Sequence, residues 1–253
     1  MTALITAAIA LAVVFGGALL GFHLRARLPD HHLSADSRDI VKLSAGVIAT
    51  LAALVLGLLV SSAKGTLDSM DREVMQTAVK AMVLDRALAD YGPEANAARQ
   101  QLREALQYAI DLIDQADGAM AVARNSTGLP HGIDRIQASL RGLSPQNEGQ
   151  RWLQAHALTV SSDMADDGWL IIEESESSLP LPFVVALVLW LAVIFASFGL
   201  FAPRNATVVT VMFVCSLSVA VSIFLIIEMD RPVGGLIRVS TKPLADALAR
   251  VGH

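Results

Sequence analysis

Few residues of this chain have the type and spacing that site chemistry requires. His31 and His32 are adjacent, and neighbouring side chains on a helix or strand point apart, so a shared metal ion would need a loop. A solvated loop is the simpler interpretation. His156 has no carboxylate three or four residues away, and we interpret it as structural. The sequence therefore predicts no catalytic residue, no metal ligand and no cofactor.

One polar cluster follows the last apolar run of the chain. Glu228, Asp230 and Arg231 stand together there, and two interpretations are open: a salt bridge at the membrane surface or a cation site. Two carboxylates without further oxygen ligands make a poor calcium cage, which favours the salt bridge. We expect an interfacial polar cluster and assign no metal to it.

The composition indicates an integral membrane protein. The 253 residues are 54% hydrophobic and 17% charged, with a mean hydropathy of +0.53. The net charge of -5 is unevenly divided, because residues 64–180 hold 10 basic and 18 acidic side chains. So acidic a segment excludes nucleic acid as a partner, since binding to phosphates needs a basic surface. Cys215 is the single cysteine and forms no intrachain disulfide.

Four apolar runs are each long enough to cross a bilayer, which takes about 20 residues of helix. They are residues 3–24, 43–63, 181–202 and 207–227. No Lys or Arg precedes the first run as it would in a signal peptide, so this run counts as a span. We predict an all-α membrane protein with four transmembrane helices and a helical extramembrane domain between helices two and three. The expected division is 1–63, 64–180, 181–227 and a tail at 228–253.

The second span is predicted to continue out of the membrane as one helix. Apolar residues recur there at alternating steps of three and four, which is the spacing of one helix face. Gly65 costs about 1 kcal/mol and does not forbid the helix. Gly92 and Pro93 should end it and begin an antiparallel neighbour. The face consists of Leu67, Met70, Val74, Ala81, Leu84 and Leu88, with Thr77 in the gap.

The rest of the extramembrane part is predicted from composition and periodicity. A loop at 125–132 precedes a short helix at 133–143, and a third long helix at 146–174 returns the chain to the membrane. A polar loop is expected at 25–42, between the first two spans. The tail should end in an amphipathic turn or two at Leu244, Leu248 and Val251.

Small residues in the spans indicate where helices approach closely. Three spans carry a pair four residues apart, and such pairs let helix backbones touch in lipid. Packing within the chain is the favoured interpretation, and contact between subunits is the alternative. The pairs are Gly17 with Gly21, Ala192 with Ala196, and Ser218 with Ser222.

The second span carries the sharpest pattern, a narrow stripe of small or mildly polar residues. The stripe is Gly46, Thr50, Ala53, Gly57 and Ser61. Packing against a neighbour and lining a pore explain it equally well. For a pore, the stripe would face an oligomer axis, and a ring of aspartates at its mouth would favour cations. The candidates for the mouth or a constriction are Leu54, Leu58, Lys64, Asp68 and Asp71.

Several segments resemble the bacterial bestrophin-like membrane proteins, a family of unknown function that is remotely similar to bestrophin ion channels. They are residues 54–65 (LVLGLLVSSAKG), 84–86 (LDR), 91–93 (YGP) and 228–236 (EMDRPVGGL), with Val239, Ser240 and Pro243. The resemblance implies a homo-oligomer in the lipid bilayer, pentameric as bestrophins are, that conducts inorganic ions along its second span. The tail lacks the acidic run of the bestrophin calcium clasp, so no residue is assigned to calcium.

Basic residues near the ends of the spans do not fix the orientation by number. Five lie on the side of the short loops and six on the side of the helical domain: Arg25, Arg27, Arg38, Lys42 and Arg204, against Lys64, Arg72, Lys80, Arg231, Arg238 and Lys242. The loops are denser in charge, which favours them for the cytosol. The resemblance implies the opposite, and we follow it: we expect the bacterial inner membrane, with the helical domain and both termini cytosolic.

Two functions from different classes remain open at this point. The first is a homo-oligomeric ion channel or pore-like protein with the second span near the axis. The second is a non-conducting membrane sensor or scaffold that binds a partner through its helical domain. An enzyme is not predicted, because the sequence has no recognisable set of charged or metal-binding groups at the bilayer surface.

Overall fold

The computed structural model describes residues 2–29, 34–114, 128–175, 181–230 and 236–252. Within these ranges the chain is helical and contains no strand, which confirms the all-α prediction. The helices are α1 (Thr2–Arg27), α2 (Ala35–Tyr91), α3 (Asn96–Asp114), α4 (Gly128–Arg141), α5 (Glu148–Ser175), α6 (Leu181–Phe201), α7 (Ala206–Met229) and α8 (Lys242–Arg250), with a short 3-10 helix at Pro93–Ala95.

Four of these helices are long and apolar enough to cross a membrane, namely α1, α2, α6 and α7. The chain divides into two compact units: a membrane unit of Met1–Lys64 and Leu179–Asp230, and an extramembrane unit of Gly65–Ser178 and Arg231–His253. Helix α2 contributes residues to both units and continues through Gly65, as the sequence predicts.

The polar loop expected at 25–42 is shorter than predicted. Helix α1 ends at Arg27 and α2 begins at Ala35. Ser34 initiates α2, because its Oγ accepts a hydrogen bond of 3.3 Å from the backbone N–H of Ser37. Asp36 follows in the first turn, where a negative charge suits the helix dipole. A polar segment was therefore mistaken for a loop when it is the capped first turns of a helix.

In the membrane unit, α1 packs against α6 through glycines. A Cβ at Gly17 or Gly21 would collide with the carbonyl oxygen of Ala192 or Ala196, and Gly199 lies equally close to the backbone of α1. Two of the predicted small-residue pairs therefore pack within the chain. Ser218 and Ser222, the third pair, donate hydrogen bonds of 3.0 Å to carbonyls of their own helix.

Two arginines donate hydrogen bonds to backbone carbonyls at or near the ends of α1 and α6. Arg25 donates a hydrogen bond from Nη1 to the carbonyl oxygen of Ala202, just beyond α6. Arg204 donates from Nη2 to the carbonyl oxygen of Phe22 in α1. Ala202 lies just past the last turn of α6, where a carbonyl lacks a helical partner, so Arg25 supplies a donor there. Phe22 lies more than one turn before the end of α1, so Arg204 donates to a carbonyl of the helix body and links the start of α7 to α1.

In the extramembrane unit, the predicted face of α2 forms part of one apolar core. Met70, Val74, Ala81, Leu84 and Leu88 are buried there, and Leu67 packs against them. The remaining core residues come from α3, α4, α5 and α8, and include Leu102, Leu112, Ile136, Leu140, Val160, Met164, Leu244 and Val251. The predicted helical face is therefore confirmed, and the amphipathic tail contributes to the same core.

The break between α2 and α3 is also as predicted. Gly92 has a φ of 125°, a conformation that side chains other than glycine rarely adopt, and Pro93 begins the next helical segment. Gln150 donates a hydrogen bond of 3.0 Å to the last carbonyl of α2, that of Tyr91. These contacts explain why the sequence YGP ends the long helix.

The loop expected at 125–132 is wrong for residues 128–132, which belong to α4. Residues 125–127 lie outside the described ranges. Glycine and proline suggested a loop, but Pro130 falls in the first turn of α4, where its missing N–H has no consequence and its fixed φ suits the helix.

Candidate functional site

Helix α2 buries only one face in the membrane unit. Ala52, Leu59 and Ala63 pack into an apolar cluster with residues of α1, α6 and α7. Ala45 continues the same face one heptad earlier and is also buried. Alanines dominate this contact because helices in lipid associate through close packing and gain little from excluding water.

The predicted stripe lies on the exposed side of α2. All five of its residues, Gly46, Thr50, Ala53, Gly57 and Ser61, are exposed in the single chain. A Cβ at Gly46 or Gly57 would meet no atom within 4 Å. The Thr50 hydroxyl donates a hydrogen bond of 3.0 Å to the carbonyl oxygen of Gly46, so its polarity is satisfied within the helix. No contact among the described residues of this chain accounts for the two glycines.

Large apolar side chains share this exposed side of α2. Leu51, Leu54 and Leu58 are exposed, with 67% of Leu54 and 62% of Leu58 accessible. They lie beside the small stripe, since residues three and four apart are neighbours on a helix. The exposed surface of α2 in the membrane unit therefore has a small, glycine-containing strip next to a leucine strip.

The charged candidates for the mouth of a pore are exposed but differ in their hydrogen bonds. Lys64, Asp68 and Asp71 are exposed on α2. Asp71 accepts a hydrogen bond of 3.4 Å from the backbone N–H of Ser240 in the tail, and the backbone carbonyl of Asp68 accepts one of 3.0 Å from Arg72. Asp71 therefore helps to attach the segment before α8 to α2.

The polar cluster after α7 is only partly described. Asp230 is buried, at 1% exposed, and Glu228 is half-buried, whereas Arg231 lies outside the described residues. His31 and His32 also lie outside them. Within the described ranges no three or more His, Cys, Asp or Glu side chains are grouped so that they could hold a metal ion. His156 stacks on Trp152, with ring centroids 5.2 Å apart and an interplanar angle of 12°.

A partly buried ion pair between α2 and α3 was not predicted from the sequence. Arg99 donates hydrogen bonds of 2.8 and 3.1 Å to the two carboxylate oxygens of Asp85. These bonds raise the pKa of Arg99 above its already high ordinary value, against the opposing effect of burial. Gly252 N–H also reaches Asp85, at 3.4 Å. Asp85 and Arg99 are each seven residues from Gly92, and this symmetry about the turn was the available signal.

A second partly buried ion pair links α2 to α5. Lys80 Nζ lies 2.8 Å from both carboxylate oxygens of Asp167 and donates to the carbonyl of Asp163 at 3.2 Å. Thr77, the polar residue in the apolar face of α2, reaches the same Asp167 at 3.5 Å. Thr77 therefore interrupts the apolar face of α2 at the point where α2 and α5 make polar contacts.

Comparison with known proteins identifies one family. A sequence model described as the bestrophin-like domain matches residues 12–244, from within α1 to within α8. No curated protein and no solved structure matches the chain. The match covers both compact units, so it concerns the chain as a whole.

Proposed function

Because this chain belongs to the bestrophin-like family, we propose that it forms a homo-oligomeric ion channel or pore-like protein in which α2 faces the oligomer axis. The observation that carries the proposal is the uncovered glycine strip on α2. Its lining would be Gly46, Thr50, Ala53, Gly57 and Ser61, with inorganic ions as the permeant species. The subunit number would be five, as in bestrophins.

The two glycines are the strongest support, because they cost stability and no described residue makes a compensating contact with them. A glycine inside a helix is about 1 kcal/mol less favourable than alanine. Gly17 and Gly21 offset that cost through the close packing of α1 on α6, but Gly46 and Gly57 have open space around them. Contact with another subunit or with a water-filled lumen would supply the missing reason.

The extramembrane unit offers independent support for assembly. Met75, Val79 and Val83 of α2 are exposed, and Trp152 of α5 is 64% exposed. Exposed apolar groups of this size, concentrated on one surface, are typical of protein interfaces. A ring closes when one surface of each subunit meets a different surface of the next.

Conduction by the reconstituted protein tests the proposal. Trp at Thr50 or Gly57 should abolish ion flux from liposomes, because a large ring would fill a narrow lumen. Trp at Leu189, an exposed position on α6, is the matched control and should leave the flux unchanged. Undiminished flux through Gly57→Trp oligomers of normal mass would contradict the assignment of α2 to the lumen.

The charged residues beyond the lumen should set the preference for one sign of ion. Asp68 and Asp71 would form rings of negative charge near Lys64, and Leu54 and Leu58 would form an apolar constriction beside the strip. Asp68→Asn should then lower the cation-to-anion permeability ratio, as measured from the reversal potential in a salt gradient. An unchanged ratio would remove Asp68 from the conduction pathway.

The orientation is part of the same proposal. The extramembrane unit and both termini would be in the cytosol, with the spans in the bacterial inner membrane. Reporter fusions at Asn125 and after His253 should both report cytosol. If both report the opposite side, the dense positive charge of residues 25–42 directs insertion instead.

A non-conducting scaffold is the second candidate, and one groove favours it. Val79, Val83, Trp152, Leu153 and His156 line an open apolar groove of about 400 Å³ on the extramembrane unit. A partner helix could insert there in place of a neighbouring subunit. Absence of ion flux from correctly assembled wild-type protein, in every lipid and salt tried, would favour this function.

A further inference from the structure

A second apolar groove lies in the membrane unit, beside the first turns of α2. It has a volume of about 540 Å³ and lies between α2 and the facing ends of α6 and α7. Its walls include Ala45, Gly46, Ala49, Phe198 and Met212, so Gly46 borders both this groove and the exposed strip of α2. Among residues 41–49, all of which the structure describes, Ala45 alone is buried. The groove therefore forms where α2 packs loosely on the bundle, with Ala45 buried and Val41 and Ile48 half-buried.

The rim of this groove is basic. Lys42 lines it, and the guanidinium carbon of Arg38 lies 5.6 Å from the centre of the Phe201 ring, which forms part of its wall. Ala202, another wall residue, accepts the hydrogen bond from Arg25. These cations share the end of the membrane unit at which α1 and α6 finish and α2 begins.

Acidic residues at the same end of the membrane unit offset part of this positive charge. Asp36 and Asp39 are exposed on the first turns of α2, and Asp39 lies 3.9 Å from Lys42. The sequence adds Asp30, outside the described residues. With Arg27 and Arg204 added to the three rim cations, the sequence places five basic residues at this end, against the three aspartates. The wall residues of the groove include Lys42 and no acidic side chain.

We propose that this groove binds an anionic phospholipid, with an acyl chain along Ala49, Phe198 and Met212 and the phosphate held by Arg38 and Lys42. A groove open to the bilayer is filled by acyl chains, because lipid is the solvent there. The cations then select the headgroup, since basic side chains at a membrane surface attract anionic lipids. The start of α2 adds the positive end of a helix dipole beside the phosphate.

Lipid binding to the purified full-length protein tests the proposal without reference to conduction. Native mass spectrometry would follow titration with phosphatidylglycerol and with phosphatidylcholine of identical acyl chains. One basic side chain near the surface contributes about five-fold in affinity for an anionic lipid, so the two together should give about 25-fold preference. Arg38→Ala with Lys42→Ala should abolish that preference and leave phosphatidylcholine binding unchanged.

The matched control for charge is Arg27→Ala. Arg27 is exposed at the same end of the membrane unit, and it is absent from the groove wall. This variant should keep the full preference for phosphatidylglycerol. An equal loss in Arg27→Ala and in the double variant would show a diffuse surface charge effect and overturn the site.

The apolar part of the site is tested by Ala49→Trp, which fills the groove and should weaken binding of both lipids. Glycerol phosphate, which has the headgroup chemistry without acyl chains, should not compete with phosphatidylglycerol. Competition by glycerol phosphate would overturn the lipid assignment in favour of a phosphate site. Unaltered lipid binding together with a changed oligomer mass in Ala49→Trp would show that a second copy of the chain covers the groove.

Discussion

Helix α2 is built differently in its two units. In the membrane unit it packs through Ala45, Ala52 and Ala63, with Leu59 as the one large side chain. In the extramembrane unit it also buries alanines, Ala78, Ala81 and Ala87, but most of its packing residues are large: Met70, Val74, Leu84, Leu88 and Tyr91. Water rewards the burial of large apolar groups, whereas lipid does not, so helices in lipid rely on close approach. One helix thus follows two sets of packing rules.

The polar contacts differ in the same way. In the membrane unit, Arg25 and Arg204 donate hydrogen bonds to backbone carbonyls of neighbouring segments, those of Ala202 and Phe22. In the extramembrane unit, charged side chains pair with each other, as Arg99 does with Asp85 and Lys80 with Asp167. The comparison indicates that the membrane unit depends on backbone geometry and the extramembrane unit on side-chain volume and pairing. Three substitutions test this difference between the units.

The largest effect is expected from truncating a large core residue of the extramembrane unit. Leu84 is fully buried, so Leu84→Ala should lower the free energy of unfolding by about 2–5 kcal/mol through lost transfer and an unfilled cavity. Leu236→Ala, at a position of the same unit that is 81% exposed, should change it by less than about 0.5 kcal/mol. Denaturant titration, followed by tryptophan fluorescence, measures both. Similar losses in the two variants would contradict the assigned core.

The next effect concerns the buried pair of Asp85 and Arg99. Asp85→Asn keeps the shape but removes the charge, and hydrogen bonds to charged groups contribute about 1.5–3 kcal/mol each. Asp90→Asn is the control, since Asp90 pairs with Arg86 on the surface, where such pairs contribute less than about 1 kcal/mol. Thermal unfolding of the two variants should therefore differ clearly in midpoint.

The pH dependence of this pair follows from the sign of the shift. Arg99 is a base whose pKa is raised in the folded protein. Its contribution to stability is therefore complete below the ordinary arginine pKa and is lost only as the pH rises through the still higher folded-state value. Titration of Arg99 should cause no change in stability across the neutral range.

The third effect tests close packing in the membrane unit, with adjacent glycines as the matched pair. Gly17→Val should cost about 1–3 kcal/mol, because the added side chain would press on the backbone of α6 at Ala192. Gly16→Val meets no atom within 4 Å and should be neutral or slightly stabilising. Thermal stability in lipid nanodiscs would separate the two. Equal stability of the variants would mean that α1 is free to move away from α6.

Much of this architecture could be predicted from the sequence because it depends on periodicity and on a few strong signals. The spans follow from apolar length, the long helix from its three-and-four spacing, and its end from Gly92 and Pro93. The starts of α2 and α4 were misjudged because a capping serine and a first-turn proline occur in segments that are polar overall. Composition alone does not distinguish such a capped helix start from a loop.

The candidate site was harder to predict. The strip on α2 was located by spacing, but no residue that the structure describes covers it, and its role stays a proposal. The close contact of Gly199 with α1 and the pairing of Arg99 with Asp85 depend on which helices pack together. The sequence indicates this only weakly, through the small-residue pairs. Asp85 and Arg99 each lie seven residues from Gly92, and this symmetry could have predicted their contact across the turn.

The contact between Arg25 and Ala202 has a consequence for the time course of synthesis. These residues are 177 positions apart, so ribosomes adding about 5–20 residues per second leave an interval of roughly 10–35 seconds between them. During that interval Gly17 and Gly21 of α1 have no α6 backbone to pack against. The closest helix contact of the membrane unit therefore forms only after most of the chain has been translated.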